Sequence, residues 1–591
     1  MSSLHLGYSA TGAPVRIYPE DRKTHAHIIG SSGSGKSKFL EWMIRGDLRN
    51  RQGFCLIDPH GTLYNDVASY CAHHVLDREV ILMNLSSPDF VIGFNPFQKS
   101  PTGDVSVQVD RRITATMHAW NVATTDQTPT LERVLRLVYT SMLEQGLGLP
   151  QVQHLIDFNA RDVRSHIVDQ IESPLIQKEW REIQQLRAVD WRAETLSTKN
   201  RLFRLLTSPT LARFMGVPER TLNLREIMDQ GKILLVNLAP SDHLSHENAR
   251  VFGALLANEF FEAALRRQKD VLGNDPKPYY LYLDEFQNFV SLDLTDMLDQ
   301  VRKFGLFLVM AHQRFGQLDE NLIDAVLTNC GIKAVFGGLP AESARLMAQE
   351  LFITKLDPKK IKAAIYQTKF WPQYQRDKIY TSSSTHSTGE STGHSSGSGF
   401  GVNTTSGEFF TPGDWFSGAN SVGTSVAEAR SSFSFSGSGA STSESFSESE
   451  GVADIPIFMP VPFQELSSIQ YYTIDEQLTE LTAALKEQFG RHCFIKIRQQ
   501  ETQPMLVPFV KSFYTRKENL EWYRQKLLRK YDALKPAEID ELIQAREQAL
   551  LQAANSEPID VTPVAPPAPL KLRRAKKSAR ASIFGNIKEL P

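Results

Sequence analysis

The chain has 591 residues, 41% hydrophobic and 22% charged, with a formal net charge of −2. That composition excludes a disordered polymer and a chain whose overall field is basic enough to gather nucleic acid. Cys55, Cys71, Cys330 and Cys493 are far apart and form no C-x-x-C pair, which argues against a disulfide framework or a cysteine metal site and fits a reducing compartment. No run of 18 apolar residues offers a membrane span, and no signal peptide opens the sequence, so a cytoplasmic protein, at most peripheral to a membrane complex, is expected.

The first strand candidate, Thr24–Ile29, runs into Gly30-Ser31-Ser32-Gly33-Ser34-Gly35-Lys36-Ser37. This fits G-x-x-x-x-G-K-[ST], the phosphate-binding loop of nucleotide hydrolases, and a helical pattern follows at Phe39–Ile44. Glycines let backbone N–H groups wrap phosphates, and the helix points its positive end at them. Lys36 would reach the β- and γ-phosphates, and the Ser37 hydroxyl would hold Mg²⁺.

Further strand candidates are Phe54–Ile57, Val80–Leu85, Ile233–Leu238, Tyr279–Leu283, Leu306–Met310 and Lys333–Phe336. Helical patterns between them predict an α/β fold with a mainly parallel sheet. After Phe54–Ile57, Asp58-Pro59-His60-Gly61 has the chemistry of a tight turn. From 116 to 215 the rhythm breaks. Leu131–Val138, Val163–Ile171 and Leu202–Phe214 repeat apolar positions at helical spacing, predicting an all-helical insertion.

Tyr279–Leu283 ends in Asp284-Glu285. Triphosphate hydrolysis needs a carboxylate at a strand end to organise Mg²⁺, a role suited to Asp284. A second acid can orient or deprotonate the attacking water, and Glu285 takes that role. Leu306–Met310 leads to Gln313, an amide placed to sense the γ-phosphate or simply to end the strand. Arg302 suits stabilisation of transition-state charge, and equally a solvated helix end.

Residues 381–450 are dominated by Ser, Gly and Thr. They read as a flexible linker or, because small residues alternate and Thr411-Pro412-Gly413-Asp414 has turn chemistry, as a long polar β-hairpin. Beyond them, Ile474–Phe489, Lys517–Leu534 and Ala537–Ala553 read as helices and Cys493–Ile497 as a strand. Val561–Pro569 is a stiff linker before the basic segment Lys571–Arg580. The expected divisions are a first core part at 1–115, the insertion at 116–215, a second core part at 216–375 and the linker or hairpin at 376–455. After these come a C-terminal part on the core at 456–515, a helical extension at 516–555 and a tail at 556–591.

Together, His27–Ser37, Ile57–Gly61, Leu283-Asp284-Glu285-Phe286-Gln287-Asn288-Phe289, Arg302-Lys303-Phe304-Gly305 and Ala311-His312-Gln313 resemble the FtsK–HerA superfamily of ring-forming DNA motors. The stretch from Ser197–Leu202 to Lys232–Leu238 is similar to that family's exit from its helical domain. The nearest branch is the soluble ATPase part of type IV secretion and conjugative coupling proteins, TraG/TraD-like and HerA-like. The resemblance implies a RecA-like core that hydrolyses ATP with Mg²⁺, and a hexameric ring with ATP between subunits and Arg302 offered in trans. It also implies DNA, held with little sequence reading, pumped through the central channel. Two departures stand out. Coupling proteins usually begin with transmembrane helices, whereas here the core begins almost at Met1. Gly337-Gly338 follows Phe336 where much of the family has an arginine. The alternative reading is an ATP-gated platform that recruits a nuclease, relaxase or secretion complex through the C-terminal region without sustained pumping.

Overall fold

The structure, a computed structural model, describes residues 3–74, 77–99, 103–120, 122, 128–267, 275–289, 294–385, 395–411, 421–437, 447–512, 515–531 and 533–555. The basic segment 571–580, the Pro-rich stretch before it and residues 412–414 of the expected turn lie outside them. Two compact units emerge: Lys359–Tyr472, and the remainder of the chain.

The larger unit is built on strands β1 (Leu4–Ser9), β2 (Pro14–Ile17), β3 (His25–Ile29), β4 (Gly53–Asp58), β5 (Val80–Asn84), β6 (Ile233–Asn237), β7 (Tyr279–Leu283), β8 (Leu306–His312) and β9 (Cys330–Phe336). In the smaller unit lie β10 (Ile361–Thr385), β11 (Ser395–Thr411), β12 (Ser421–Gly437) and β13 (Ser447–Tyr471), and the larger unit resumes with β14 (His492–Ile497) and β15 (Gln503–Leu506). One 11-stranded sheet has the order β2-β1-β15-β14-β9-β3-β8-β7-β4-β6-β5. From β9 to β5 every pairing is parallel, and β14, β15, β1 and β2 extend the sheet antiparallel beyond β9. The parallel strands are near-continuous apolar runs because helices cover both faces, leaving β4, β6, β7 and β8 buried along their whole length.

Each strand candidate in the core recurs within a residue or three of its expected bounds. The short β1, β2 and β15 were not anticipated, because they lack the continuous apolar run that marks the parallel strands. The insertion is helical but larger than 116–215: its helices run from Val105–Ala119 to Leu224–Gln230, between β5 and β6. The single helical run expected across Leu202–Phe214 is two helices, Ala188–Leu206 and Pro209–Met215. Pro209 cannot continue a helix, but it suits the first position of the next one, and the Ser208 hydroxyl accepts the Leu211 N–H.

Helix Lys517–Lys530 lies by the β5 side of the sheet, with Lys530 bonded to Glu79. Helix Pro536–Asn555 docks on the insertion through the Arg213–Asp540 and Arg546–Glu219 ion pairs and a His154–Glu547 hydrogen bond. These helices, expected as docking parts for a partner, are thus engaged by their own chain. Residues 456–471, expected with the core, instead belong to β13 of the smaller unit.

In that smaller unit β10 pairs antiparallel with β13, and β11 with β12. The two ladders keep one register: Thr385 faces Ser447, and ten residues further along each arm Ser395 faces Gly437. Pairing starts at Ile361, well before the boundary at 376 expected from composition, because Ile361–Trp371 is β-prone but contains no Ser/Gly bias.

Gly305 closes the helix that ends at Lys303. Its φ is 73°, its carbonyl accepts the Tyr279 N–H that starts β7, and a Cβ there would stand 2.8 Å from the Pro276 carbonyl oxygen. Gly305→Ala should therefore destabilise the fold by about 1–3 kcal/mol, read as a lower denaturant midpoint with an unchanged slope.

Candidate nucleotide-hydrolysis site

Strands β3, β8, β7 and β4 are consecutive and parallel, so their C-terminal ends emerge along one edge. That edge is where open α/β sheets bind ligands. The Gly30–Gly35 loop leaves β3, Gln313 follows β8, Asp284-Glu285 follows β7, and Asp58 ends β4. Sequence-distant groups thus converge through strand order alone.

Gly33 and Gly35 have φ of 77° and 113°, so the loop uses backbone that other residues resist. Helix Lys36–Arg49 starts directly after it. The loop is tied at its start and end. Ser31 donates its N–H to the Gly337 carbonyl at 3.1 Å, and the Ser34 carbonyl accepts the Arg491 N–H at 2.9 Å. Gly338 has φ 78°, and a Cβ there would fall 2.1 Å from the Ser31 hydroxyl. The Gly337-Gly338 departure therefore has a steric reason: this turn presses on the loop and leaves no space for a side chain. Arg491, invisible as a site residue in the sequence, supports the loop from the C-terminal segment with its own φ at 70°.

Lys36 is buried and folded back, its Nζ donating to the Gly30 and Ser31 carbonyls at 2.7 and 3.0 Å. Burial lowers its pKa, while Glu285 and Asp284 pull it back up. Ser37 Oγ donates to Asp284 Oδ2 at 3.3 Å, so the two groups expected to hold Mg²⁺ face one another. Asp284 is 3% exposed, and burial, followed by the Asp58 and Glu285 charges, pushes its pKa up to about 6. Asp58 is committed to structure: its carboxylate accepts the His60 and Tyr64 N–H groups at 2.8 and 2.7 Å, holding the turn into helix Thr62–His74.

Glu285 sits in left-handed backbone, φ 49°, a conformation that costs a non-glycine residue about 1 kcal/mol. Both its oxygens are engaged: Gln313 donates to one and Gln287 to the other, each at 2.8 Å. Gln313 thus lies beside the expected base. Gln287 was legible only as part of a motif, because its reach depends on the short turn Phe286–Asn288.

Beneath the loop, His27 of β3 and His312 of β8 meet with Nε2 atoms 2.7 Å apart, both fully buried. His312 Nδ1 faces the Arg314 carbonyl, which only accepts, so that nitrogen carries the proton. His312 Nε2 is then the acceptor and His27 Nε2 the donor. Burial drives both imidazoles toward the neutral form, His312 down to about 3.

Arg302 does not join this edge. It is half-buried at the end of helix Leu294–Lys303, just before β8 begins, near Cys330 at the start of β9. Gln313 lies at the other end of β8.

The residues present fit a magnesium nucleotide. A glycine loop opens onto a helix start, a lysine rests on weak carbonyl partners, and a hydroxyl and a desolvated carboxylate face each other across 3.3 Å. Among the described residues no group of three or more His, Cys, Asp or Glu side chains suits a metal. A cation here would rest on Ser37, on Asp284 through water, and on the nucleotide itself. Such a cation would supply charge neutralisation at the β- and γ-oxygens.

Two measurements test these electrostatics. Asp284→Asn should abolish Mg²⁺-dependent hydrolysis yet stabilise the nucleotide-free protein at pH 7 by on the order of 2–3 kcal/mol, since a raised folded-state pKa makes the ionised carboxylate a native-state cost. Calorimetry without nucleotide reads the gain. The histidine pair acts oppositely. Its depressed folded-state pKa gives stability that is present above the unfolded value of 6.5 and lost as pH falls toward 3, by up to about 1.4 kcal/mol per pH unit. The melting temperature of His312→Gln should fall less steeply between pH 6.5 and 5 than that of the parent chain.

Residues 4–247 match the family model described as helicase HerA, central domain, and residues 278–352 the model described as the TraM recognition site of TraD and TraG. No curated protein matches in sequence. Among solved structures, plasmid coupling protein TrwB in complex with ADP and Mg²⁺ is 12% identical, with a TM-score of 0.46 over 87% of this chain and 91% of that one. Its complex with a non-hydrolysable ATP analogue gives 12% identity and 0.46 over 88% and 92%. VirB4 of Thermoanaerobacter pseudethanolicus gives 14% and 0.40 over 60% and 88%. Among the described residues no helix is long and apolar enough to cross a membrane. The first match covers the strand that leads into the phosphate loop and the second the strand that precedes the paired acids; the chain is a P-loop ATPase similar to the HerA and TraD/TraG proteins those models describe.

Proposed function

We propose that the protein is an ATP-driven DNA translocase that works as a hexameric ring, with DNA in the central channel. The observation that carries this reading is the split of the hydrolytic groups. Lys36, Ser37, Asp284, Glu285 and Gln313 gather at the C-terminal edge of the sheet. Arg302 stands at the opposite end of β8, a seven-residue strand some ~23 Å long. Arg302 therefore serves no phosphate of its own chain, and a neighbouring copy is the natural recipient, as in other phosphoryl-transfer sites completed in trans. The helicase description of the matched central domain supports nucleic acid as the cargo, and the TraM recognition description supports a transfer-complex partner through residues 278–352. The platform alternative loses part of its motive, because helix Pro536–Asn555 is engaged by the insertion and helix Lys517–Lys530 by the core.

In this reading Ser37 and Asp284 hold the cation, Lys36 the phosphates, Glu285 the attacking water, and Gln313 reports the γ-phosphate. Lys36→Ala should lose hydrolysis, and Glu285→Gln should keep nucleotide binding while losing about 10²–10⁴-fold in turnover. Arg302→Ala subunits should poison mixed rings out of proportion to their fraction; strict proportionality would remove the trans role. A roadblock-displacement assay on long DNA decides the cargo, and ATPase activity indifferent to single- and double-stranded DNA alike would sink the translocase reading.

A further inference from the structure

Among the described residues the strands of the smaller unit pair two at a time, over arms far longer than a typical strand. A two-stranded ribbon leaves both outer edges with unpaired N–H and C=O groups, and proteins usually defend such edges with proline, lysine or cover. Here the defence is local. From Tyr366↔Leu466 onward the register pairs even with even positions, and Pro372, Pro456, Pro460 and Pro462 are all even. A proline cannot donate into a ladder, so even positions are those whose backbone groups point outward. The outer edges are therefore blunted between 456 and 462 and at 372. Toward the tip, residues 374–385, 447–455, 395–411 and 421–437 contain no proline, and β11 and β12 contain no lysine either.

Near the base, Tyr366, Phe370, Trp371, Met459, Val461 and Leu466 are all exposed, Trp371 by 67%. The charges are also segregated. β10 holds Lys362, Lys369, Arg376 and Lys378 against Asp377, a net +3, whereas β13 holds Glu448, Glu450, Asp454 and Glu465, a net −4. A two-fold contact would set β10 against β10 or β13 against β13, like charge on like. Rotation about a ring axis instead sets β13 of one copy beside β10 of the next. That pairing is antiparallel and opposite in charge, as within the hairpin itself.

We propose that the unblunted edges of this hairpin pair with those of neighbouring copies, β13 against β10, closing one continuous antiparallel sheet around the assembly. The occupant of the open edge is a second copy of this chain, and the inference rests on the ring reading above. Closure removes both edges of every hairpin and explains why the tip lacks edge-blunting residues.

The test uses the full chain. Subunits carrying only Ser383→Cys are co-expressed with subunits carrying only Ser449→Cys and treated with a short bis-maleimide; all four native cysteines are buried. Cross-linked dimer should form at least ten-fold more in the mixture than in either population alone. Adding Ser382→Pro and Ser384→Pro, at outward even positions, should abolish it while the melting temperature of the ATPase core stays unchanged. Mass photometry runs alongside. Rings without the cross-link overturn the inference and leave the ring reading standing, as do equal yields from single populations. Cross-linking that survives the proline pair overturns the edge assignment. Monomers throughout overturn both readings.

Discussion

A carboxylate buried at the end of an apolar strand constrains everything around it. Asp284 ends β7 with its neighbours β4 and β8 closed on either side, so water cannot solvate its charge. Asp58 and Glu285 add like charge, and Lys36 offsets part of it. Left alone, such a site favours a proton over ionisation. It becomes favourable when a cation approaches from the open edge, which is the side Ser37 already faces. The native state is thus kept less stable than the same sheet with a neutral residue there, a cost that a bound cation would relieve. The left-handed backbone of Glu285 follows the same logic: strain held at a position the surrounding turn over-determines.

The second constraint is register. The phosphate loop leaves β3 and Gln313 leaves β8, and the two strands are adjacent, pairing Ile29 with His312. The His27–His312 hydrogen bond pins side chains across that pairing, with aromatic rings of Phe286 and Phe315 packed against His312. Glu285 and Gln313 are joined directly. A shift of the loop relative to Gln313 would have to break these buried contacts, so the edge behaves as one body. Lys36 is the exception, since its carbonyl partners belong to its own loop.

Legibility in the sequence followed burial and distance. Strands β3 to β9 were readable because each is a short apolar run bounded by turn residues, and parallel strands must be apolar on both faces. The phosphate loop, Asp284 and Glu285 were readable because their chemistry demands fixed residue types at strand ends. The sequence hid whatever depends on which strands become neighbours. Nothing in local pattern brings His27 to His312, Ser31 to Gly337, or Arg491 to Ser34. Gln287 looked like one polar residue of a motif until the turn after Glu285 aimed it back. The extent of the hairpin was similarly masked, since a Ser/Gly composition reads as linker whenever register is ignored. The C-terminal helices misled for another reason: they read as docking parts for a partner, and they pack on their own chain, Lys517–Lys530 by β5 and Pro536–Asn555 on the insertion.

Strand β8 draws these threads together. At its C-terminal end Gln313 touches Glu285, and at its N-terminal end Gly305 ties Arg302's helix to the first residue of β7. Both ends are rigid: seven buried residues hold the strand between β3 and β7, and Gly305 admits no side chain without collision. Under the proposed ring, one end of β8 answers to the subunit's own nucleotide while the other offers Arg302 to the neighbour's. A rigid strand cannot absorb a displacement at one end without passing it to the other. In that proposal, loss of a γ-phosphate contact at Gln313 would alter where Arg302 is presented, and hydrolysis would be ordered around the ring without any flexible linker between sites. The coupling needs only that β3, β8 and β7 move together, and the histidine pair and the Glu285–Gln313 bond are the contacts that make them do so.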